Sequence, residues 1–286
     1  NSILYVNLEP CSHFGKTPPC TSLIIENQIP KVVIATLDPN PIVKGEGVQT
    51  LIKHGVQVKT TICETEAKML NKRFFTFYKK KRPYIILKWA QTKDGFIDIV
   101  RKNDTPQINW ISNKYSKQLV HKWRAEELGI LIGTNTALMD NPELTTRKWK
   151  GDNPSRFLID KNLIVPHTYN IFNSDAPSYV YYNQEIKTKN PLSDNIHYVP
   201  LDFSRDIIPQ IYSHLYSINI ISLIVEGGKA TLDKFINSNT WDEARVIEGN
   251  KWFQNGLSAP TLPITANKSQ EIIDDNINYY FNKSAI

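Results

Sequence analysis

Ile220-Ile221-Ser222-Leu223-Ile224-Val225-Glu226-Gly227-Gly228 is the stretch on which the fold turns. An apolar run broken only by Ser222 reads as a strand buried on both faces, the kind found in a parallel sheet. Gly227 and Gly228 end it, and Ala230–Asn237 reads as a helix. Glycines between such a strand and helix let backbone N–H groups approach a pyrophosphate at the helix N-terminus. In isolation a tight turn is the simpler reading of Gly-Gly. Glu226, however, closes a buried strand, where an unpaired carboxylate is expensive. That favours a working role for it over a merely structural one.

Upstream of this stretch the same alternation repeats. Tyr84–Ala90 (YIILKWA) is a strand, and Ser112–Leu128 is a long helix with Ser112 as its expected N-cap. Gly129–Gly133, Arg156–Asp160, Tyr179–Tyr182 and His197–Leu201 are further strands, followed by a helix over Asp206–Tyr216. Lys88 and Ala90 lie two residues apart and so share a strand face. His121, Arg124 and Glu127 share a broad helix face.

The first 80 residues form a separate alternating series. Ile3–Leu8, Lys31–Leu37 and Val56–Ile62 read as strands, and Thr21–Gln28, Gly47–His54 and Glu64–Tyr78 as helices. Asp38-Pro39-Asn40-Pro41 is a turn. Lys79-Lys80-Lys81-Arg82 before Pro83 marks the boundary, giving an expected division into 1–80 and 81–286. Strands separated by helices imply an α/β fold with a parallel sheet in both parts.

With 41% hydrophobic and 22% charged residues among 286, the composition is globular rather than disordered. Its apolar runs are too short to span a bilayer, so no membrane partner is expected. The net charge of +6 comes from scattered lysines and arginines, with no basic stripe of the kind a nucleic-acid groove needs. A mild positive excess suits small anionic ligands such as phosphates. Three cysteines make no paired disulfide framework, which fits a reducing cytoplasm. The chain opens on Asn1 rather than Met, with no signal-peptide pattern, which suggests a segment removed upstream.

Two thiols, Cys11 and Cys20, flank a strand-to-helix loop, each preceded by proline. A helix N-terminus favours the thiolate, the form that binds zinc. The string Glu9-Pro10-Cys11-Ser12-His13-Phe14-Gly15-Lys16-Thr17-Pro18-Pro19-Cys20 resembles the zinc loop of the riboflavin-biosynthesis deaminases. The likeness extends through Asp38-Pro39-Asn40-Pro41 and Gly45-Glu46-Gly47. It implies Cys11 and Cys20 as metal ligands, and Lys16, Asp38 and Asn40 as substrate contacts; for Asp38 and Asn40, plain turn chemistry is the alternative. The family's His-Ala-Glu motif has no counterpart upstream of Ile3. The resemblance therefore implies an N-terminally cut, cytidine-deaminase-like α/β domain whose zinc site lacks a ligand and its proton shuttle.

The order Lys88, Asp94-Gly95, Trp110-Ile111-Ser112, Arg124, Gly133-Thr134, Asp140-Asn141-Pro142, Leu144-Thr145-Thr146-Arg147 and Glu226-Gly227-Gly228 resembles the reductase half of the same bifunctional deaminase/reductases. That half has a dihydrofolate-reductase-like fold. The resemblance implies Lys88, Asp140 and Glu226 around the ribose carbon that accepts hydride. It places Arg124, Leu144 and Arg147 on the substrate, the arginines on its 5′-phosphate, which a guanidinium suits. Ala90, Ile108, Trp110, Thr136, Asp140 and Gly228, Lys229, Ala230, Thr231, Leu232, Asp233 and Lys234 would line an NADPH site. A solvated basic loop with Lys148 and Lys150 is the rival reading for Arg147, and a helix salt bridge for Arg124.

The function so implied is NADPH-dependent reduction of a phosphorylated ribosylaminopyrimidine in riboflavin biosynthesis, carried out by a homo-oligomer, with zinc-dependent deamination lost from this chain. The rivals are a non-catalytic remnant serving as an oligomerisation or docking module, and a basic nucleic-acid-binding module.

Overall fold

The computed structural model describes residues 2–15, 17–41, 43–100, 108–187 and 193–282. Lys16 lies outside them. The chain divides into two compact units, Asn1–Arg82 and Pro83–Ile286.

In the first unit, β1 (Ile3–Val6), β2 (Lys31–Ile34) and β3 (Gln57–Lys59) form a parallel sheet in the order β1-β2-β3. The crossovers are α1 (Cys20–Glu26) and α2 (Glu46–Lys53). Ile24 of α1, Val32 and Ile34 of β2, Leu51 of α2 and Val56 make the small core. The strands are shorter than their sequence pattern predicts. The helix expected over Glu64–Tyr78 is two, α3 (Glu64–Leu70) and α4 (Lys72–Lys80). They break at Asn71, whose side-chain amide turns back to donate to the Ala67 carbonyl at 2.9 Å, the local competition that makes asparagine a poor helix-interior residue.

The loop between β1 and α1 is tied to α2 by one carboxylate. Glu9, buried at 4% exposure, accepts from the backbone N–H groups of Asp38 (3.1 Å), Gly45 (3.0 Å) and Val48 (3.2 Å). A negative charge at the first turn of α2 complements the helix dipole. Gly47 is required there, because a Cβ on it would sit 2.0 Å from the Pro10 carbonyl oxygen.

The second unit is built on β4 (Tyr84–Thr92), β6 (Gly129–Gly133), β7 (Ser155–Ile159), β8 (Ser178–Asn183), β9 (Ile196–Leu201), β10 (Ser222–Val225), β11 (Glu243–Gly249), β13 (Lys268–Ile272) and β14 (Asp275–Phe281). They form one nine-stranded sheet in the order β13-β14-β11-β4-β10-β6-β7-β8-β9. From β11 to β9 every pairing is parallel. The expectation of a wholly parallel sheet is corrected at one edge, where β14 pairs antiparallel with β11 and β13 with β14. A further ribbon joins β5 (Phe96–Asp98) to β12 (Leu257–Ser258).

Helices cover both faces. On one, α7 (Ile207–Ser217) and α8 (Lys229–Asn237) pack on Ile85, Leu87 and Trp89 of β4 and on Leu223 and Val225 of β10. On the other, α5 (Lys114–Glu126) and α6 (Thr134–Asp140) pack with Tyr84, Ile86, Ile130, Ile132 and Ile224. The alternation along β4 therefore turns Lys88 and Ala90 to the α5 face. Ser112 is not the N-cap of α5. Asn113 is, its Oδ1 accepting from the N–H groups of Tyr115 and Ser116 at 2.9 Å each.

On β7, the strand beside β6, Arg156 is fully buried. It donates to the Asn170 carbonyl (2.9 Å), Asn173 Oδ1 (2.7 Å), and the carbonyls of Asn173 and Ala176 (2.5 Å each). Burial pushes its pKa down to about 10, opposed by the charge of Asp175, so it stays cationic. It thus nails the segment around the 3-10 turn Asn170–Phe172 to the sheet. Arg156→Leu is expected to cost about 3 kcal/mol or more in urea unfolding, since each buried acceptor it strands costs ~1–3 kcal/mol. A loss under about 1 kcal/mol would show that this buried cation is not what holds the segment.

Candidate active site

Three parallel strands, β4, β10 and β6, end side by side at a cavity of about 320 Å³, within the size range of small-molecule sites. Ligands of open α/β sheets bind at such carboxyl ends.

Glu226, the residue after β10, is the centre of the floor. Its carboxylate accepts from Arg124 twice, Nε to Oε1 at 3.1 Å and NH2 to Oε2 at 2.8 Å. Lys88 Nζ stands 3.5 Å from the same Oε2. The side chains of Glu226, Arg124 and Lys88 are 9%, 11% and 15% exposed. Burial alone would raise the Glu226 pKa, but the charges of Arg124 and Lys88 outweigh it and hold the group at about 2. Burial lowers the pKa of Lys88, with Glu226 opposing and Arg124 reinforcing the shift. The floor therefore holds a fixed anion beside an ammonium made readier to release its proton.

Arg124 NH1 also donates to the Thr145 carbonyl at 3.3 Å, which leaves N–H groups on both terminal nitrogens for a ligand. Leu144, 2% exposed, and Asp140 complete this side of the wall. Arg147 is not on the cavity wall. It pairs with Glu143 at 3.2 Å, both side chains being 42% exposed.

Opposite lies the glycine-lined mouth of α8. Gly228 N–H donates to Thr136 Oγ1 at 2.8 Å. A Cβ on Gly227 would come 2.6 Å from Thr231 Cβ, and one on Gly133 would come 2.4 Å from Thr231 Oγ1. Only glycine at Gly133 and Gly227 lets these two turns close up on Thr231, and they border the cavity at the N-terminus of α8. Ala90, Ile108, Trp110, Thr136 and Gly228 all face this cavity. Of the Lys229–Lys234 run, none lines it. Leu232 is fully buried in the core, Thr231 wedges the glycines, and Lys229 pairs with Asp233 at 3.0 Å along α8.

Several wall residues lack any signal in the motifs. Asn135 and Met139 join Thr136 and Asp140 on the lining face of α6; the spacing of four is a helical signal that could have found them. Asn109 donates to Asp98 at 2.7 Å, and both line the cavity. His121 and Thr145 stand behind the wall, where the helix face shared with Arg124 points.

In the first unit Cys11 and Cys20 do come together, the Cys20 N–H reaching Cys11 Sγ at 3.4 Å. Burial and the neighbouring Cys11 push the Cys20 thiol up. Among the described residues no group of three or more His, Cys, Asp or Glu could hold a metal ion. Asp38 Oδ1 accepts from the Asn40 N–H at 2.7 Å, which is the turn chemistry weighed against a ligand role.

A doubly covered, mostly parallel sheet with a charged floor and a glycine cradle at its strand ends defines an α/β reductase of the dihydrofolate-reductase type, preceded by a smaller α/β unit. The RibD C-terminal domain matches residues 83–251. The riboflavin biosynthesis protein RibD of Aquifex aeolicus is 40% identical over 263 residues, 91% of this chain and 72% of that protein. RibD of Bacillus amyloliquefaciens is 36% identical over 84% of this chain and 65% of its own. The crystal structure of a Thermotoga maritima diaminohydroxyphosphoribosylaminopyrimidine deaminase/5-amino-6-(5-phosphoribosylamino)uracil reductase superposes with a TM-score of 0.85 at 33% identity, covering 98% of this chain and 79% of that one. The chain belongs to the RibD family of riboflavin-biosynthesis proteins.

The floor has a pH signature. Because the folded pKa of Glu226 (about 2) lies below its ordinary value of 4.5, its stabilisation is present above pH 4.5 and is lost as pH falls toward 2. Glu226→Gln, which leaves Arg124 and Lys88 uncompensated, should cost about 3–5 kcal/mol near neutrality. The gap to the parent should close in acid-unfolding curves over that window; a constant gap would contradict the charge assignment.

Proposed function

We propose that this chain reduces the ribosyl group of 5-amino-6-(5-phosphoribosylamino)uracil to ribityl with NADPH, a step of riboflavin biosynthesis. The observation that carries the reading is the Lys88–Glu226–Arg124 ion cluster beneath a glycine cradle, in a chain whose relative from Thermotoga maritima bears that activity in its description. NADPH, held by the Gly227–Gly228 turn, Thr136, Ala90, Ile108 and Trp110, would supply the hydride taken up at C1′ of the opened ribosylamine.

The chain's own part is positioning and charge. Lys88 Nζ holds the proton that the adjoining substrate nitrogen takes up as C1′ is reduced. Glu226 keeps that ammonium charged until the substrate arrives, and the loss of its proton is eased by burial. Asp140 stands on the same wall. Arg124 turns the Glu226 carboxylate and offers its remaining N–H groups to the substrate. Arg147, paired with the half-exposed Glu143 carboxylate and donating to Thr145 Oγ1, would exchange Glu143 for the 5′-phosphate. The cytoplasm suits both NADPH and free thiols. Exposed Tyr5, Phe14 and Leu23 in the first unit favour a homo-oligomer.

This 286-residue polypeptide carries two thiols in the zinc-loop position and no third metal ligand among its described residues. It is therefore proposed to reduce but not to deaminate. Offered the deaminated substrate, the polypeptide should consume NADPH, followed at its absorbance band; offered the diaminopyrimidinone, it should release ammonia at least about 10²-fold more slowly, the scale of general acid–base help. Comparable rates would overturn the deaminase half of the proposal, and no NADPH consumption the reductase half.

A further inference from the structure

Behind the cavity wall, helix α5 buries His121 at 5% exposure, one turn before Arg124. Its ring does not line the cavity. Nδ1 lies 2.8 Å from the carbonyl oxygen of Thr145. A carbonyl only accepts, so Nδ1 carries the hydrogen and the tautomer is fixed. Burial, with the nearby Arg124 and Arg147 charges set against Glu226, lowers the ring's pKa to about 4, so it is neutral at working pH. Arg124 NH1 donates to the same carbonyl at 3.3 Å. Both hydrogen bonds to the Thr145 carbonyl thus come from α5.

The residue before that carbonyl is Leu144, with φ of +57°. A leucine in the left-handed region is strained and persists only where its surroundings over-determine it. Here they do. Thr146 N–H donates to Asn153 Oδ1 at 2.9 Å on one side. On the other, Asn170 binds Asn141 through two 2.8 Å hydrogen bonds. Between these anchors, the Thr145 carbonyl held by His121 and Arg124 follows directly on Leu144, which lines the cavity.

We propose that His121 is a positioning residue for the reductase cavity: through the Thr145 carbonyl it sets both Leu144 and the guanidinium of Arg124. The kinetic part of this rests on the reduction reading above; the structural part does not.

Two substitutions separate the hydrogen bond from the packing. His121→Asn keeps an N–H donor near the position of Nδ1, and His121→Leu keeps bulk without a donor. For His121→Leu, KM for the phosphorylated pyrimidine should rise about tenfold, the effect of about 1.4 kcal/mol, with NADPH affinity changed less than about twofold. His121→Asn should stay within about threefold of the parent. Amide hydrogen exchange of the 141–150 segment should accelerate in His121→Leu and not in His121→Asn. Equal behaviour of the two variants, or loss of NADPH binding in place of the KM effect, overturns the proposal. If the parent protein reduces nothing, the exchange measurement still decides the positioning role. Should His121→Leu not fold, fast exchange in His121→Asn overturns it, and parent-like exchange supports it.

Discussion

One buried carboxylate organises the second unit. Glu226 sits where β10 ends, and its partners come from β4 and from α5, 138 and 102 residues away in sequence. Desolvating such a charge is costly unless every lone pair finds a donor, and here two cations converge on it. Their convergence fixes the relative placement of one helix and the two strands that carry them. The cavity exists because those elements must meet at the carboxylate while the glycines beside it hold α8 close. Arg124 serves two ends at once, orienting Glu226 by its fork and the Thr145 carbonyl by NH1.

Much of this was legible in the sequence, and unevenly so. Buried strands such as Gly129–Gly133 announce themselves by unbroken apolar runs, and the structure reproduces that one residue for residue. Glu226 stood out because a carboxylate closing a buried strand is costly, whereas Lys88 and Arg124 were legible only through the family resemblance. The antiparallel edge did not stand out. β13 and β14 carry many exposed polar residues, so their strand character arises from pairing, β14 with β11 and β13 with β14, rather than from local pattern. Asn113 and Ser112 are equally good caps by residue type, and only the chain direction at Asp275, which accepts from the Asn113 N–H at 2.8 Å, decides between them. The Lys229–Lys234 run shows the limit of carrying a motif over as a block. A helix turns its residues to all sides, and Leu232 belongs to the core.

The first unit teaches a different lesson. Glu9 carries no assignment in the sequence beyond its place in the Glu9–Cys20 string, yet it gathers three backbone donors from residues 38 to 48. Asp38 and Asn40 were singled out for ligand contact, and in the chain as folded they first serve one another. Side chains that satisfy buried backbone groups are hard to find from sequence because the donors they serve carry no residue signature.

The long sequence separations across the Glu226 cluster also govern the order in which the protein comes into being. β10 lies between β4 and β6, whose paired residues are 138 and 94 positions earlier, so the central strand of the sheet is synthesised only after five of the strands around it. Contacts this distant close slowly. Until residue 226 has left the ribosome, β4 and β6 have no strand between them and the cradle has no floor. A ligand that needs this floor can therefore neither bind to nor stabilise the emerging chain before β10 has joined β4 and β6.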